Sequence, residues 1–77
     1  MATVEIDNRG LVPPEPMVRI LSALGTLSGG DELVALMDRE PVLLYGELER
    51  RGCTWEFNPG TGPAGSDILR IRLAAPP

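Results

Sequence analysis

Two short segments combine charged residues with prolines at points where helices are expected to begin. The first contains Arg9, Pro13, Pro14, Glu15 and Pro16, and the second contains Asp38, Arg39 and Glu40. Two helix N-termini and two arginines at one place could hold a small anion or the carboxylate of a partner protein. The competing interpretation is helix caps and surface ion pairs worth about 0–1 kcal/mol each, because the carboxylates partly cancel the positive field.

Cys53 is the only cysteine, and the chain has no histidine. A structural zinc site normally takes four Cys or His ligands, so we expect no such site and no internal disulfide. Arg50 and Arg51 could activate a nearby thiol for sulfur transfer. However, Cys53 alternates with Trp55 and Phe57 along the chain, and this pattern predicts a thiol that faces the core and behaves as a small hydrophobic group.

Nothing in the sequence forms a catalytic constellation. There is no histidine and no lysine, and no pattern brings two carboxylates into one cleft. The glycines at 60, 62 and 65 precede a predicted strand, whereas a phosphate-binding loop precedes a helix. We therefore expect no enzymatic activity, no cofactor and no metal.

The hydrophobic pattern predicts four strands and two helices. Alternation or apolar runs predict strands over residues 3–7, 31–37, 53–57 and 68–73. Helical spacing predicts helices over residues 15–27 and 41–51, the first with Pro14 near position N1 and the second with Pro41 at N1. The buried stripe of the second helix is predicted to consist of Val42, Leu44, Tyr45 and Leu48. A mobile hairpin loop over 58–66 and a frayed tail over 74–77 complete the prediction.

The resulting element order is β-α-β-α-β-β. It predicts a single α/β (α+β) domain over residues 1–77, a two-layer sandwich with a four-stranded mixed sheet and both helices packed on one face. Tyr45 and Trp55 are expected in the core. The other sheet face would be either a solvated surface with cross-strand charge pairs or an interaction surface, and its polar residues are Glu5, Thr54, Glu56, Arg70 and Arg72.

Composition narrows the range of partners. The net charge is −4, so the chain repels phosphate backbones, and with three aromatic residues it lacks a row of base-stacking platforms. No segment approaches the roughly 20 apolar residues of a membrane span, and the N-terminus does not resemble a signal peptide. We expect a cytoplasmic protein whose partner is another protein, with weak dimerisation through a sheet edge as a further option.

The segment Arg9-Gly10-Leu11-Val12-Pro13-Pro14-Glu15-Pro16-Met17 resembles the motif R-G-L-x-C-P-E-P of the TusA/SirA sulfur carriers. The element order resembles that family as well. The D-R-E-P segment at the second helix, followed by L-Y-x-x-L-E-x-R-G, is similar to an uncharacterised bacterial branch of the superfamily, domain of unknown function 2249. The resemblance implies the sandwich fold and a cytoplasmic bacterial setting.

Pro13 stands where the resemblance places the reactive cysteine of the sulfur carriers. In those proteins the thiolate lies at the helix N-cap, where the dipole and free N–H groups stabilise it. Proline has no nucleophile, so the resemblance implies a non-catalytic accessory or protein-interaction module. The alternatives are a thiol relay that uses Cys53 and small-anion binding at the helix N-termini.

Overall fold

The structure, a computed structural model, describes residues 1–74. Its strands are β1 (Thr3–Asp7), β2 (Glu32–Met37), β3 (Cys53–Asn58) and β4 (Asp67–Leu73), and its helices are α1 (Glu15–Leu24) and α2 (Tyr45–Arg50). The predicted element order is therefore confirmed. Residues 75–77 of the predicted tail lie outside the described residues. Within residues 1–74, no helix is long and apolar enough to cross a membrane.

The four strands form one mixed sheet in the order β1-β2-β4-β3. β1 pairs in parallel with β2, while β4 runs antiparallel to both β2 and β3. β2 is a central strand, as its nearly continuous apolar run predicts. The carboxyl ends of β1 and β2 therefore lie at the same edge of the sheet, and the chain leaves both strands there.

Both helices pack on one face of this sheet. Alternate residues of the inner strands, among them Leu33, Leu69 and Ile71, are completely buried against Ile20 of α1 and Leu48 of α2. Cross-strand register places Trp55 opposite Ile71 on this same face. The predicted fold class, an α+β two-layer sandwich, is confirmed.

The first helix begins where predicted and ends three residues earlier. Pro14 is its N-cap rather than its first helical residue, and Pro16 lies in the first turn. A proline there costs no intrahelical bond, because the first N–H groups of a helix have no intrahelical acceptor. The N–H of Gly25 still bonds to Leu21, but Thr26 and Leu27 bond back only three residues, so the helix closes in a tight turn.

The second helix differs from the prediction at its start. Pro41 is followed by a 3-10 turn over Val42–Leu44, and α2 begins only at Tyr45. Leu44 is completely buried, but Val42, which helical spacing assigned to the buried stripe, is 61% exposed. That assignment is wrong, because a 3-10 turn advances about 120° per residue instead of 100° and so directs its residues differently.

The uncovered face of the sheet carries the expected cross-strand charge pairs. Glu32 lies 3.5 Å from Arg70 and 3.2 Å from Arg72, measured between carboxylate oxygens and guanidinium nitrogens. Val34, which is paired with Arg70 in the strand register, is buried although it lies on this face. The aliphatic stems of the arginines therefore cover apolar surface there, while their exposed ion pairs contribute little stability.

Candidate binding cleft

A cleft of about 340 Å³ opens at the edge where β1 and β2 end. One wall is formed by the chain that enters α1, and the other by the segment that connects β2 to α2. Its lining is mostly apolar and consists of Asn8, Leu11, Pro13, Pro14, Pro16, Met17, Met37, Asp38, Arg39, Glu40, Pro41, Val42, Leu43 and Leu44. We refer to this feature as the cleft. Such an edge is where open α/β sheets usually bind their ligands.

The structure brings six of the eight predicted site residues together. The lining includes Pro13, Pro14 and Pro16 from the first segment, and Asp38, Arg39 and Glu40 from the second. Arg9 and Glu15 lie in the same segments but do not line the cleft. The predicted pair of turns therefore forms the cleft, but only one of the two arginines in the predicted site, Arg39, lines it.

Arg9 does not line the cleft and forms an ion pair within its own turn. Its Nε and Nη2 donate to the two carboxylate oxygens of Asp7 at 2.9 and 2.8 Å. Hydrogen bonds from the Arg9 side chain and backbone N–H lower the pKa of Asp7 to about 2. Held in this bidentate pair, Arg9 is not free to bind an anion at the helix start.

The helix starts also offer few free N–H groups. The N–H of Glu15 donates to Val12 and Pro16 has none, while on the other side Val42 donates to Glu40 and Leu44 donates to Pro41. An anion site at a helix N-terminus needs unsatisfied N–H groups that point at the ligand. The cleft therefore offers weak support for small-anion binding.

Large apolar side chains project from the rim of the cleft. Leu43 is 90% exposed and Val42 61%, and Val12, next to Pro13 on the opposite segment, is 75% exposed. Isolated exposed apolar residues are ordinary on protein surfaces, but a group of them around an apolar cavity is typical of an interaction site. The cleft and its rim therefore expose apolar surface that a partner could cover.

Two carboxylates at the mouth of the cleft are held by hydrogen bonds. Oδ2 of Asp38 accepts from the N–H of Gly10 at 2.6 Å, which joins the two turns. Oε2 of Glu40 accepts from the hydroxyl of Tyr45 at 3.0 Å, and the Tyr45 ring stacks on Trp55 with centroids 5.1 Å apart. Burial, followed by the contact with Glu40, raises the pKa of Tyr45 to about 12, so Tyr45 remains a donor at neutral pH.

Asn8 is a buried polar residue in the wall of the cleft. It is 1% exposed, and its Nδ2 donates to the carbonyl oxygen of Pro16 at 2.9 Å. This bond fixes the orientation of the amide, and its Oδ1 is buried without a donor among the described residues. A buried polar atom normally has a partner, and among residues 1–74 only the Oγ of Ser66 is a second buried side-chain atom without one.

Sequence reasoning identifies three prolines of the cleft but misses its other apolar residues and Asn8. An asparagine directly after a strand predicts only that the strand ends there, and helical spacing predicts a buried Val42. One signal was available: Val42, Leu43 and Leu44 are three consecutive apolar residues, and one face of a single helical turn cannot bury all three. At least one of them had to be exposed beside the predicted site.

Cys53 lies where the alternation predicts. The residue is 7% exposed and belongs to the core cluster, opposite Leu73 in the register. Burial raises the pKa of its thiol, and the nearby positive charge of Arg51 only partly offsets that effect. A nucleophilic cysteine needs exposure and a lowered pKa, so this environment disfavours a thiol relay through Cys53.

We expect the native protein to resist alkylation at Cys53. Iodoacetamide at pH 7.5 should label Cys53 at least about tenfold more slowly than in guanidinium chloride, because the reaction requires local opening. The control is the variant C53A/S22C, which places the single thiol at an exposed position of α1 and should be labelled rapidly in both conditions. Rapid labelling of native Cys53, followed by mass spectrometry, would restore the relay hypothesis.

The comparisons with known proteins identify a family without a known function. The family model for uncharacterized conserved proteins designated DUF2249 matches residues 5–63. Because this match spans well over half of the chain, the protein belongs to that family. It covers both turns that form the cleft. No curated protein and no solved structure matches the chain.

Proposed function

We propose that this protein is a non-catalytic accessory module that binds another protein through the cleft. One observation carries the proposal: Leu43 and Val42, in the turn before α2, are largely exposed beside an apolar cleft whose other wall is the chain that enters α1, where Val12 is exposed next to Pro13. Pro13 stands where the resemblance to the sulfur carriers places their reactive cysteine. A partner that covers these side chains would remove apolar surface from water, at roughly 25 cal/mol per Å².

A relationship to the TusA/SirA sulfur carriers forms part of the same proposal. It is supported by the R-G-L-x-x-P-E-P pattern of residues 9–16 and by the β-α-β-α-β-β order. In this view the domain retained the surface through which a carrier meets its partners and lost the thiol. The setting that the resemblance implies is the bacterial cytoplasm, in a process related to sulfur metabolism.

The test compares the wild-type protein with two surface variants as immobilised baits. Leu43→Asp places a charge at the rim of the cleft, and Val18→Asp makes the same kind of change on α1, where Val18 is 56% exposed and does not line the cleft. Proteins captured from a lysate of the native host are quantified by mass spectrometry. We expect Leu43→Asp to reduce recovery of a specific partner at least about tenfold, because binding would then bury an unpaired charge against an apolar surface.

Val18→Asp should retain that partner at the wild-type level, which separates loss of the cleft surface from a general effect of added charge. Both variants should keep the wild-type unfolding midpoint, because both positions are largely exposed. The proposal fails if Leu43→Asp captures as much of every specific partner as the wild type does.

A further inference from the structure

The charges around the cleft are predominantly negative. Asp38 and Glu40 line it together with one cation, Arg39, so the lining carries a net charge of −1. Arg9, the other arginine of these two turns, is neutralised by Asp7, and the chain as a whole has a net charge of −4. The electrostatic field therefore favours a partner with positive charge at this edge.

The two carboxylates already have defined positions in the free protein. The Gly10 N–H holds Asp38, and the Tyr45 hydroxyl, in a ring stacked on Trp55, holds Glu40. An ion pair with a preorganised carboxylate loses less side-chain entropy than one with a freely rotating carboxylate. Asp38 and Glu40 are therefore better placed to recognise a cation than most exposed carboxylates.

The unpaired Oδ1 of Asn8 independently indicates that the cleft favours a ligand with hydrogen-bond donors. It is a hydrogen-bond acceptor in the cleft wall, completely buried and without a donor among residues 1–74. An incoming carboxylate or phosphate would add a further acceptor beside it, whereas an N–H or ammonium group would supply what is absent. Both the charges and the acceptor favour a donor-bearing ligand over an anion.

The rest of the cleft requires an apolar group. Prolines, Met17 and Met37 line its walls, and its volume of about 340 Å³ can hold a leucine-sized side chain together with adjoining chain. Methionine side chains are flexible and adapt to different apolar shapes. A ligand that carried charge alone would leave this apolar surface exposed.

We propose that the partner presents a segment in which apolar side chains are flanked by lysine or arginine. The apolar group enters the cleft between the prolines and Leu43, and the cations face Asp38 and Glu40. This inference rests on the proposed function and adds the chemistry of the partner.

The test titrates the labelled protein with three synthetic octapeptides, all acetylated and amidated, and follows the backbone amide resonances of the non-proline residues within 8–17 and 37–44 at low ionic strength. The basic apolar peptide has the sequence GKKLLKKG. The acidic control is GEELLEEG, and the control without apolar groups is GKKSSKKG. We expect GKKLLKKG to bind at least about fivefold more tightly than either control, since it alone satisfies both the charges and the apolar walls.

A pair of variants tests the acidic rim. Glu40→Gln removes one charge from the cleft but keeps an acceptor for Tyr45, and Glu49→Gln removes one charge from an exposed position of α2 outside the cleft. Glu40→Gln should weaken binding of GKKLLKKG about two- to fivefold, the range of a single exposed ion pair, and Glu49→Gln should leave it unchanged.

Equal or tighter binding of either control peptide overturns the inference, and so does an absence of binding by GKKLLKKG at millimolar concentration or an equal effect of the two variants. These outcomes are separable from failure of the proposed function. If capture of a host protein still depends on Leu43, the cleft is an interaction site and only the assigned partner chemistry is wrong.

Discussion

Replacement of Leu44 by alanine is expected to lower the free energy of unfolding by about 2–5 kcal/mol, the usual cost of a buried Leu→Ala change. Leu44 is completely buried and connects the 3-10 turn that precedes α2 to the core. A domain of this size has a net stability on the order of 3–5 kcal/mol. The substitution should therefore remove a large share of the stability, and at the upper end of this range the variant would be unfolded at 25 °C in water.

The neighbouring residue provides a matched control. Leu43 is the same residue type in the same turn, yet it is 90% exposed. Leu43→Ala should change the free energy of unfolding by no more than about 0.5 kcal/mol, as expected for a surface substitution. Urea denaturation followed by the fluorescence of Trp55 measures both variants. If Leu43→Ala and Leu44→Ala lost similar amounts of stability, the result would contradict the difference in burial that the 3-10 turn gives these two residues.

Replacement of Asn8 by aspartate is expected to lower the free energy of unfolding by about 3–5 kcal/mol at pH 7, the cost of leaving a buried charge without a partner. The carboxylate would lose the Nδ2 donor and would face the carbonyl oxygen of Pro16, which is also an acceptor. Burial in this wall would raise the folded-state pKa of the new carboxyl above its unfolded value.

The effect should depend on pH in a defined direction. Because the folded-state pKa of this carboxyl is raised, its destabilisation is complete above that pKa and disappears as the pH falls toward the unfolded value, near about pH 4. Once protonated, the new carboxyl can again donate a hydrogen bond to the carbonyl oxygen of Pro16. The natural carboxylates Asp7, Asp31 and Glu47 have lowered pKa values and act in the opposite direction, since their stabilisation is lost as the pH falls through those values.

The readout is therefore the difference between variant and wild type at each pH, measured by urea denaturation. Asn58→Asp makes the same chemical change at a half-buried position of β3 and should cost less, with little dependence on pH. A difference for Asn8→Asp that is the same at pH 4.5 and pH 7 would contradict the burial of this side chain.

The strands could be predicted closely because alternation depends only on which face of the sheet is buried. β1 has the predicted bounds, and the other strands differ by one residue at one end. The start of α2 could not be predicted from spacing, because Val42, Leu43 and Leu44 fit either an α-helical turn or a 3-10 turn. The choice follows from packing, which buries Leu44 and leaves the other two at the cleft.

The location of the candidate site could be predicted better than its chemistry. Both segments follow parallel strands, and this topology places Pro13 and Asp38 at one edge of the sheet. Sequence reasoning could not show that Asp7 would bind Arg9, since neighbouring charges can pair in many ways. Nor could it show that Asn8 would be buried, because asparagine after a strand usually lies in an exposed turn.

The position of β4 bears on how the protein is made. Among residues 1–74 this strand is the last element, yet it lies between β2 and β3 and pairs with both. During translation, all the other elements leave the ribosome before β4. The strand that joins β2 to β3 is therefore absent during this time. Until Asp67–Leu73 is synthesised, β2 and β3 each present an unpaired edge to other chains. Completion of the fold must therefore follow synthesis of this strand, and in that interval the nascent protein is most exposed to aggregation and most in need of chaperones.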